Sequence, residues 1–188
     1  NHPLGGLDGI AFMHVIGKYR RDVKFLVNDI LMNVGNLKPL FVPVNKLGGQ
    51  EKSAVAAIEQ AYAADTALLV FPAGLVSRKQ DNGSIKDLEW KKSFINRAKK
   101  YKKDIVPVYI DGKNSKFFYN FARLRQKVGL KANLEMLYLP DEMFSQRNKT
   151  VTIVIGEKIP YTHFDQSKSE KQWAEEVKGL VYGMSQEK

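Results

Sequence analysis

The sequence predicts an α/β fold: a single domain with a mixed, mostly parallel central sheet flanked by helices. Three observations predict it. Short apolar, β-branched runs alternate with longer amphipathic stretches, the pattern of strand–helix units. Runs such as "ALLVF" at 67–71 show no polar/apolar alternation, as expected of strands covered by helices on both faces. The 188 residues, 44% of them hydrophobic, suffice for one sizeable core. No Pro/Gly/Ser-rich boundary and no internal repeat divides them.

The elements follow in order. "GIAFMHVIGKYR" (9–20) reads as a helix with Asp8 as N-cap. Ile10, Met13, His14 and Gly17 share one of its faces, so His14 reads as a core or interface histidine. "VKFLVND" (23–29) is a strand. "LMNVGNLKPLFVPV" (31–44) holds a short helix or turn and then a strand at 39–44. "GGQEKSAVAAIEQAYAAD" (48–65) is a turn and an Ala-rich helix with Val55, Ile58 and Tyr62 inward. "ALLVFP" (67–72) is a buried strand stopped by Pro72. "SIKDLEWKKSFINRAKKYKK" (84–103) is amphipathic, with Leu88, Phe94, Ile95, Ala98 and Tyr101 facing the core. "DIVPVYI" (104–110) is another strand, and "KFFYNFARLRQKVG" (116–129) a helix with Phe117, Phe118, Phe121, Leu124 and Val128 apolar. "LEMLYLP" (134–140) and "TVTIVIG" (150–156) read as strands, and "KSEKQWAEEVKGLVYGM" (168–184) as the closing helix.

The formal net charge is +10. Such a chain favours anionic partners: nucleic acid, acidic lipid headgroups, or phosphorylated carriers and substrates. The absence of cysteine excludes disulfides, thiolate nucleophiles and Cys-based zinc sites, and fits a reducing compartment. No metal site is predicted. No apolar run approaches the roughly 20 residues of a spanning helix, and no secretory leader is evident. The first residue is Asn, so an N-terminal segment is expected upstream of residues 1–188.

Two stretches carry chemistry. In "NHPLGGLDG" (1–9), His2 can take a proton from a hydroxyl, and Asp8 can hold the far ring nitrogen and stabilise the imidazolium. Residues six apart diverge on a regular helix, so the pair can meet only if Gly5 and Gly6 turn the chain back over a helix start. The alternative is a surface turn capped by Asp8. In "FPAGLVSRK" (71–79) the position at a strand's end is where α/β proteins hold ligands. Phe71, Pro72 and Gly74 shape a turn that permits close backbone approach. Arg78 and Lys79 offer charge to a phosphate or carboxylate. The alternative is an ordinary turn with two solvated cations.

Together, in this order and about 70 residues apart, the two stretches resemble the glycerolipid acyltransferase family, which includes the lysophosphatidic acid acyltransferases. The family has an Asn-His…Asp motif and a later Phe-Pro-Glu-Gly motif followed by Ser and Arg. "DIVPVYI" resembles its later "VP"-type strand, and the likeness runs to about residue 160. Two departures stand out. Five residues, Pro3 to Leu7, separate His2 and Asp8 where the family usually has four. Ala73 stands where the family has glutamate, which resembles a hemolysin-like, amino-acid-lipid branch acting as lysolipid O-acyltransferases.

The resemblance implies one acyltransferase domain over 1–188, moving a fatty acyl group from a thioester of coenzyme A or acyl carrier protein to an acceptor hydroxyl. His2 is the implied base and Asp8 its orienting acid. A backbone N–H near Gly74 is the implied oxyanion donor, Arg78 the acceptor's anion site and Lys79 its support. Lys46 lies near another basic position of the family but reads as a solvated loop residue. No cofactor is implied beyond the acyl thioester co-substrate. A cytoplasmic protein, peripheral on the inner face of the membrane, is expected.

Residues 86–103 hold eight Lys/Arg against two Asp/Glu, either a solvated face or a landing for anionic lipid or an acidic carrier. Phe117, Phe118 and Phe121 are core, acyl groove or membrane contacts. A non-catalytic module on nucleic acid or anionic membrane is the alternative reading. No nucleic-acid partner is expected, since the aromatics are not interleaved with basic residues on a strand platform.

Overall fold

The computed structural model describes residues 1–28, 31–32, 35–44 and 52–186. Its centre is a parallel sheet in the order β2-β1-β3, from β1 (Val23–Asn28), β2 (Phe41–Val44) and β3 (Ala67–Leu69). Val23, Phe25 and Val27 point from β1 to one face, where Phe12 of helix α1 (Gly6–Ile16) covers them. Leu26, Val42 and Leu68 point to the other, against Ile58, Ala61 and Tyr62 of α2 (Lys52–Ala63). Both faces are therefore covered, as the unalternating strands require. Gly9 of α1 lies so close that an added Cβ would fall 2.7 Å from the Phe25 ring.

The rest of the chain builds around one edge. A hairpin of β4 (Arg78–Lys79) and β5 (Ile85–Lys86) leads to α3 (Ser93–Tyr101). Next come β6 (Val108–Asp111), α4 (Lys116–Lys127), α5 (Leu139–Ser145), β7 (Thr152–Ile155) and α6 (Glu170–Gly183). β6 and β7 pair antiparallel, apart from the parallel strands. Trp90, Phe94, Ile95, Phe164, Trp173 and Val177 form a second core between α3 and α6. Ser115 caps α4 by accepting from the Phe118 N–H, and Ser169 with Gln172 closes a reciprocal capping box on α6.

Six readings of the sequence are corrected. Asp8 is not the N-cap of α1: Gly5 is, and Asp8 sits three residues inside with a buried side chain. His14 is exposed, as is Ile10, because α1 turns Asp8, Gly9 and Phe12 inward. Leu88 precedes α3 and is exposed, outside the face made by Phe94, Ile95 and Ala98. On α4 the buried residues are Phe118, Tyr119, Ala122 and Arg125, while Phe117, Leu124 and Val128 face solvent.

The "LEMLYLP" segment is not a strand: Leu134–Tyr138 is a 3-10 turn running into α5. Pro140 in the first turn of α5, followed by Asp141 and Glu142, suits a helix start. Pro107 shortens the strand expected at 104–110: Ile105 makes a single bridge to Ile159, and the continuous ladder starts at Val108. Lys46, and the turn expected at 48–51, lie outside the described residues.

Glu59 joins α2 to α3 by accepting from Arg97, Lys100 and Tyr101. The Lys100 hydrogen bond, then those of Tyr101 and Arg97, hold its carboxyl down at about 2. A carboxyl held down in the fold stabilises it above the unfolded value of about 4.3 and stops doing so as pH falls through the folded value. Glu59→Gln is therefore expected to destabilise the protein at neutral pH by less than about 1 kcal/mol, the site being partly exposed. Urea unfolding at a series of pH values should show the difference closing below about pH 4.

Candidate active site

The first residues are tied down from four directions. The Asn1 side chain pairs with the β6 backbone: Nδ2 donates to the Ile110 carbonyl at 2.9 Å, and Oδ1 accepts from the Ile110 N–H at 2.6 Å. The His2 N–H donates to Asp87 Oδ1 at 3.1 Å, and the His2 carbonyl accepts from the Ser77 N–H at 2.8 Å. Asn114 Nδ2 donates to the Pro3 carbonyl at 3.1 Å. Asp87 is itself fixed, accepting from Ser77 Oγ and from Trp90 Nε1. Its N–H donates to the Tyr182 hydroxyl at 2.6 Å. Burial, with Asp87 nearby, pushes the Tyr182 phenol well up, so it stays neutral.

Asp8 is 0% exposed. Its Oδ2 accepts from the N–H groups of Leu4 at 2.7 Å and Gly5 at 3.1 Å, filling unpaired donors at the start of α1. The helix dipole favours the anion there. His2 Nδ1 stands 3.0 Å from the same oxygen. The contact is within hydrogen-bond reach in distance but out of line. Such bonds straighten in substrate complexes. Gly5 makes the approach possible: its φ of 80° lies in the left-handed region and turns the chain back over α1. On the far side the His2 ring stacks on Phe71, with centroids 4.1 Å apart and planes at 20°. The structure thus brings His2, Asp8 and the "FPAG" turn together.

In that turn the Gly74 N–H donates to the Phe71 carbonyl at 2.9 Å, so the amide expected to face an oxyanion is used within the turn. Phe71 and Pro72 are half-buried, and Pro72's carbonyl accepts from the Lys91 N–H. Lys79 is exposed on the hairpin. Arg78 beside it is buried: Nη2 donates to Glu135 Oε1 at 2.7 Å and Nη1 to the Val76 carbonyl at 2.8 Å. Arg125 Nε lies 2.8 Å from the other Glu135 oxygen. Burial pushes the Arg78 guanidinium below its ordinary value, against the pull of Glu135. The sequence reading missed Asn1, Asp87, Asn114 and Glu135, and only Asn1 carried a signal, as the residue before His2.

A cavity of about 590 Å³ lies between β3 and β6, beside this constellation. Asn1, Phe71 and Pro72 line the end near His2. Phe12, Leu69, Trp90, Phe94 and Ile110 supply apolar walls, and Arg20, Lys102 and Lys158 are exposed lining residues. Asp65 and Asp104 also line it, Arg20 pairs with Asp22 and Lys158 with Asp104, so the rim carries both signs of charge. An apolar slot of this size suits a chain-like apolar ligand.

A family model described as Acyltransferase matches residues 1–187. The chain is 52% identical over 183 residues to a lyso-glycine lipid O-acyltransferase of Bacteroides thetaiotaomicron, covering 97% of this chain and 67% of that one. It is 48% identical over 183 residues to a protein of the same name from Phocaeicola vulgatus, covering 97% and 65%. The chain spans about two thirds of the length of these relatives. No solved structure matches it.

The buried ion triad makes a stability test. Glu135→Ala leaves two buried guanidiniums without their counter-charge and should destabilise the fold by about 3–5 kcal/mol. A urea midpoint close to that of the unsubstituted protein would show that water or a rearrangement replaces the carboxylate.

Proposed function

The chain belongs to the acyltransferase family, and from that premise we propose that it is a lysolipid O-acyltransferase working through His2 and Asp8. The observation that carries the reading is the 3.0 Å approach of His2 Nδ1 to the buried Asp8 carboxylate, beside Phe71 of the second motif. With Nδ1 turned to Asp8, Nε2 is the nitrogen left to accept a proton. It takes the proton of the acceptor hydroxyl as that oxygen attacks the thioester carbonyl carbon. The C–O bond forms, the C–S bond breaks, and the departing thiolate takes the proton back from the imidazolium. Asp8 stabilises the imidazolium between the two transfers and keeps the ring in one tautomer. The products are an acylated lipid and a free thiol.

The acyl chain of the donor, a thioester of coenzyme A or of acyl carrier protein, would lie in the apolar cavity between β3 and β6. Both relatives are named for a lyso-glycine lipid, and we assign the same acceptor class here. A glycine joined through its nitrogen keeps its carboxylate. Lys79, exposed on the hairpin, is the candidate for that anion. Arg78, neutralised by Glu135, acts by holding the loop. The protein would work from the inner face of the membrane as a peripheral enzyme. Among the described residues no helix is long and apolar enough to cross a membrane.

The test is a panel of labelled acyl thioesters offered with lyso-glycine lipid and with lysophosphatidic acid. Acyl transfer to the first acceptor is expected. His2→Ala should lower kcat by at least about 10²–10⁴-fold with the melting curve unchanged. Asp8→Asn can still accept the Leu4 and Gly5 amides but lacks the charge that stabilises the imidazolium. It should cost about 10²-fold or more while the protein stays folded. A His2→Ala protein of full activity would remove the assignment.

A further inference from the structure

We propose that the outward face of α4 and α5 is a docking surface for an anionic lipid bilayer. On α4, Phe117, Phe121, Leu124 and Val128 fall at i, i+4, i+7 and i+11, which places them on one stripe. Phe117 is 54% exposed, and Leu124 and Val128 are also exposed. Tyr138 of the following turn joins the stripe, and further exposed apolar side chains follow it in the turn and in α5: Leu137 is 75% and Phe144 70% exposed. The aromatic part is ordered among itself. Phe117 and Phe121 stack with centroids 5.8 Å apart, and Tyr138 sets its edge against them at 5.1 and 5.7 Å. An ordered apolar stripe of this extent on a surface marks an interaction site.

Charge selects the occupant. Between residues 113 and 149 the exposed cations are Lys113, Lys116, Arg123, Lys127, Lys131, Arg147 and Lys149. Within the segment one exposed carboxylate, Asp141, stands against them, and Asp81 of the β4–β5 turn pairs with Arg123 at 3.5 Å, which leaves the face strongly cationic. The other two acids of the segment that could oppose them, Glu135 and Glu142, are turned inward onto Arg78 and Ser115. Lys116, Arg123 and Lys127 all fall on one flank of the α4 stripe. Apolar and aromatic side chains bordered by cations match the acyl and headgroup layers of an anionic leaflet, and each Lys/Arg near such a surface adds to binding.

The opposite face of α4 grips the candidate active site. Phe118 and Tyr119 pack with Val76 behind the second motif, and Leu139 lies against Gly5 of the first. Asn114, just before α4, holds the Pro3 carbonyl. Docking would therefore hold the His2 loop behind α4, one helix diameter of roughly 10 Å from the bilayer in which a lysolipid acceptor resides. This last step rests on the acyltransferase reading; the docking does not.

Flotation of the full protein tests it, with vesicles of phosphatidylcholine alone and of equimolar phosphatidylcholine and phosphatidylglycerol. Binding to the anionic vesicles, weakened by salt, is expected. The double variant Phe117→Ser/Phe144→Ser should lower the bound fraction about tenfold or more, and Leu137→Ser, at a more exposed position, should lower it too. Lys127→Glu/Lys131→Glu should remove the preference for anionic lipid. All three should keep their melting curves and their activity on a short-chain acceptor dissolved as monomer. Flotation of all variants like the unsubstituted protein would overturn the proposal. So would a solution dimer that Phe117→Ser/Phe144→Ser dissociates, which would make the face a contact between copies. A protein that floats as expected yet acylates no lysolipid would overturn the acyltransferase reading and leave the docking surface standing.

Discussion

One oxygen organises the site. Asp8 Oδ2 collects the Leu4 and Gly5 amides and lies against His2 Nδ1, all within 3.1 Å. A carboxylate that is fully buried is costly unless its lone pairs are met. Two backbone N–H groups at the start of α1 meet Oδ2, while Oδ1 is buried with no hydrogen-bond partner among the described residues. The anion is held by the fold before any substrate arrives, and His2 is set against an acceptor that does not reorganise. Moving Asp8 one position along α1 would rotate it by about 100° and lose all three contacts.

That arrangement reaches outward through backbone bonds. The segment from Asn1 to Pro3 is bound to β6, Ser77, Asp87 and Asn114, which come from four separate parts of the chain. Asp87 serves as a junction: its two oxygens gather the His2 amide, the Ser77 hydroxyl and the Trp90 indole. The loop carrying Ser77 also carries Arg78, which runs through Glu135 to Arg125 on α4. A displacement of α4 therefore has a direct route to the backbone around His2, because buried ion pairs tolerate little change in geometry.

The α/β class was legible in the sequence because the strands and helices have distinct periods, and the two motifs were legible as a pair. What was not legible depended on buried charge. The alternation of "LEMLYLP" suggests a strand until Glu135 is seen to be its innermost side chain, at 0% exposure, with two arginines upon it. The apolar residues of α4 suggest a buried stripe, yet Arg125 lies inside and Phe117 outside, because Glu135 draws the guanidinium in. Periodicity assumes that the apolar face is the hidden one, and an internal ion triad inverts that rule. Asp8 was misplaced for a related reason. Its carboxylate does cap α1, but from inside the first turn, with glycine at the cap position.

The alanine in "FPAG" has a structural consequence as well as a chemical one. Ala73 is buried and belongs to the cluster that includes Trp90, Phe94, Phe164 and Trp173. A glutamate on this backbone would either carry its carboxylate into that apolar core, at a cost of several kcal/mol without a partner, or swing the turn outward. The turn is not free to swing. Its Phe71 stacks on His2, the Pro72 carbonyl holds the Lys91 amide, and Gly74 closes back onto Phe71. The small residue at 73 thus fits the α3–α6 core directly beneath the turn whose Phe71 stacks on His2.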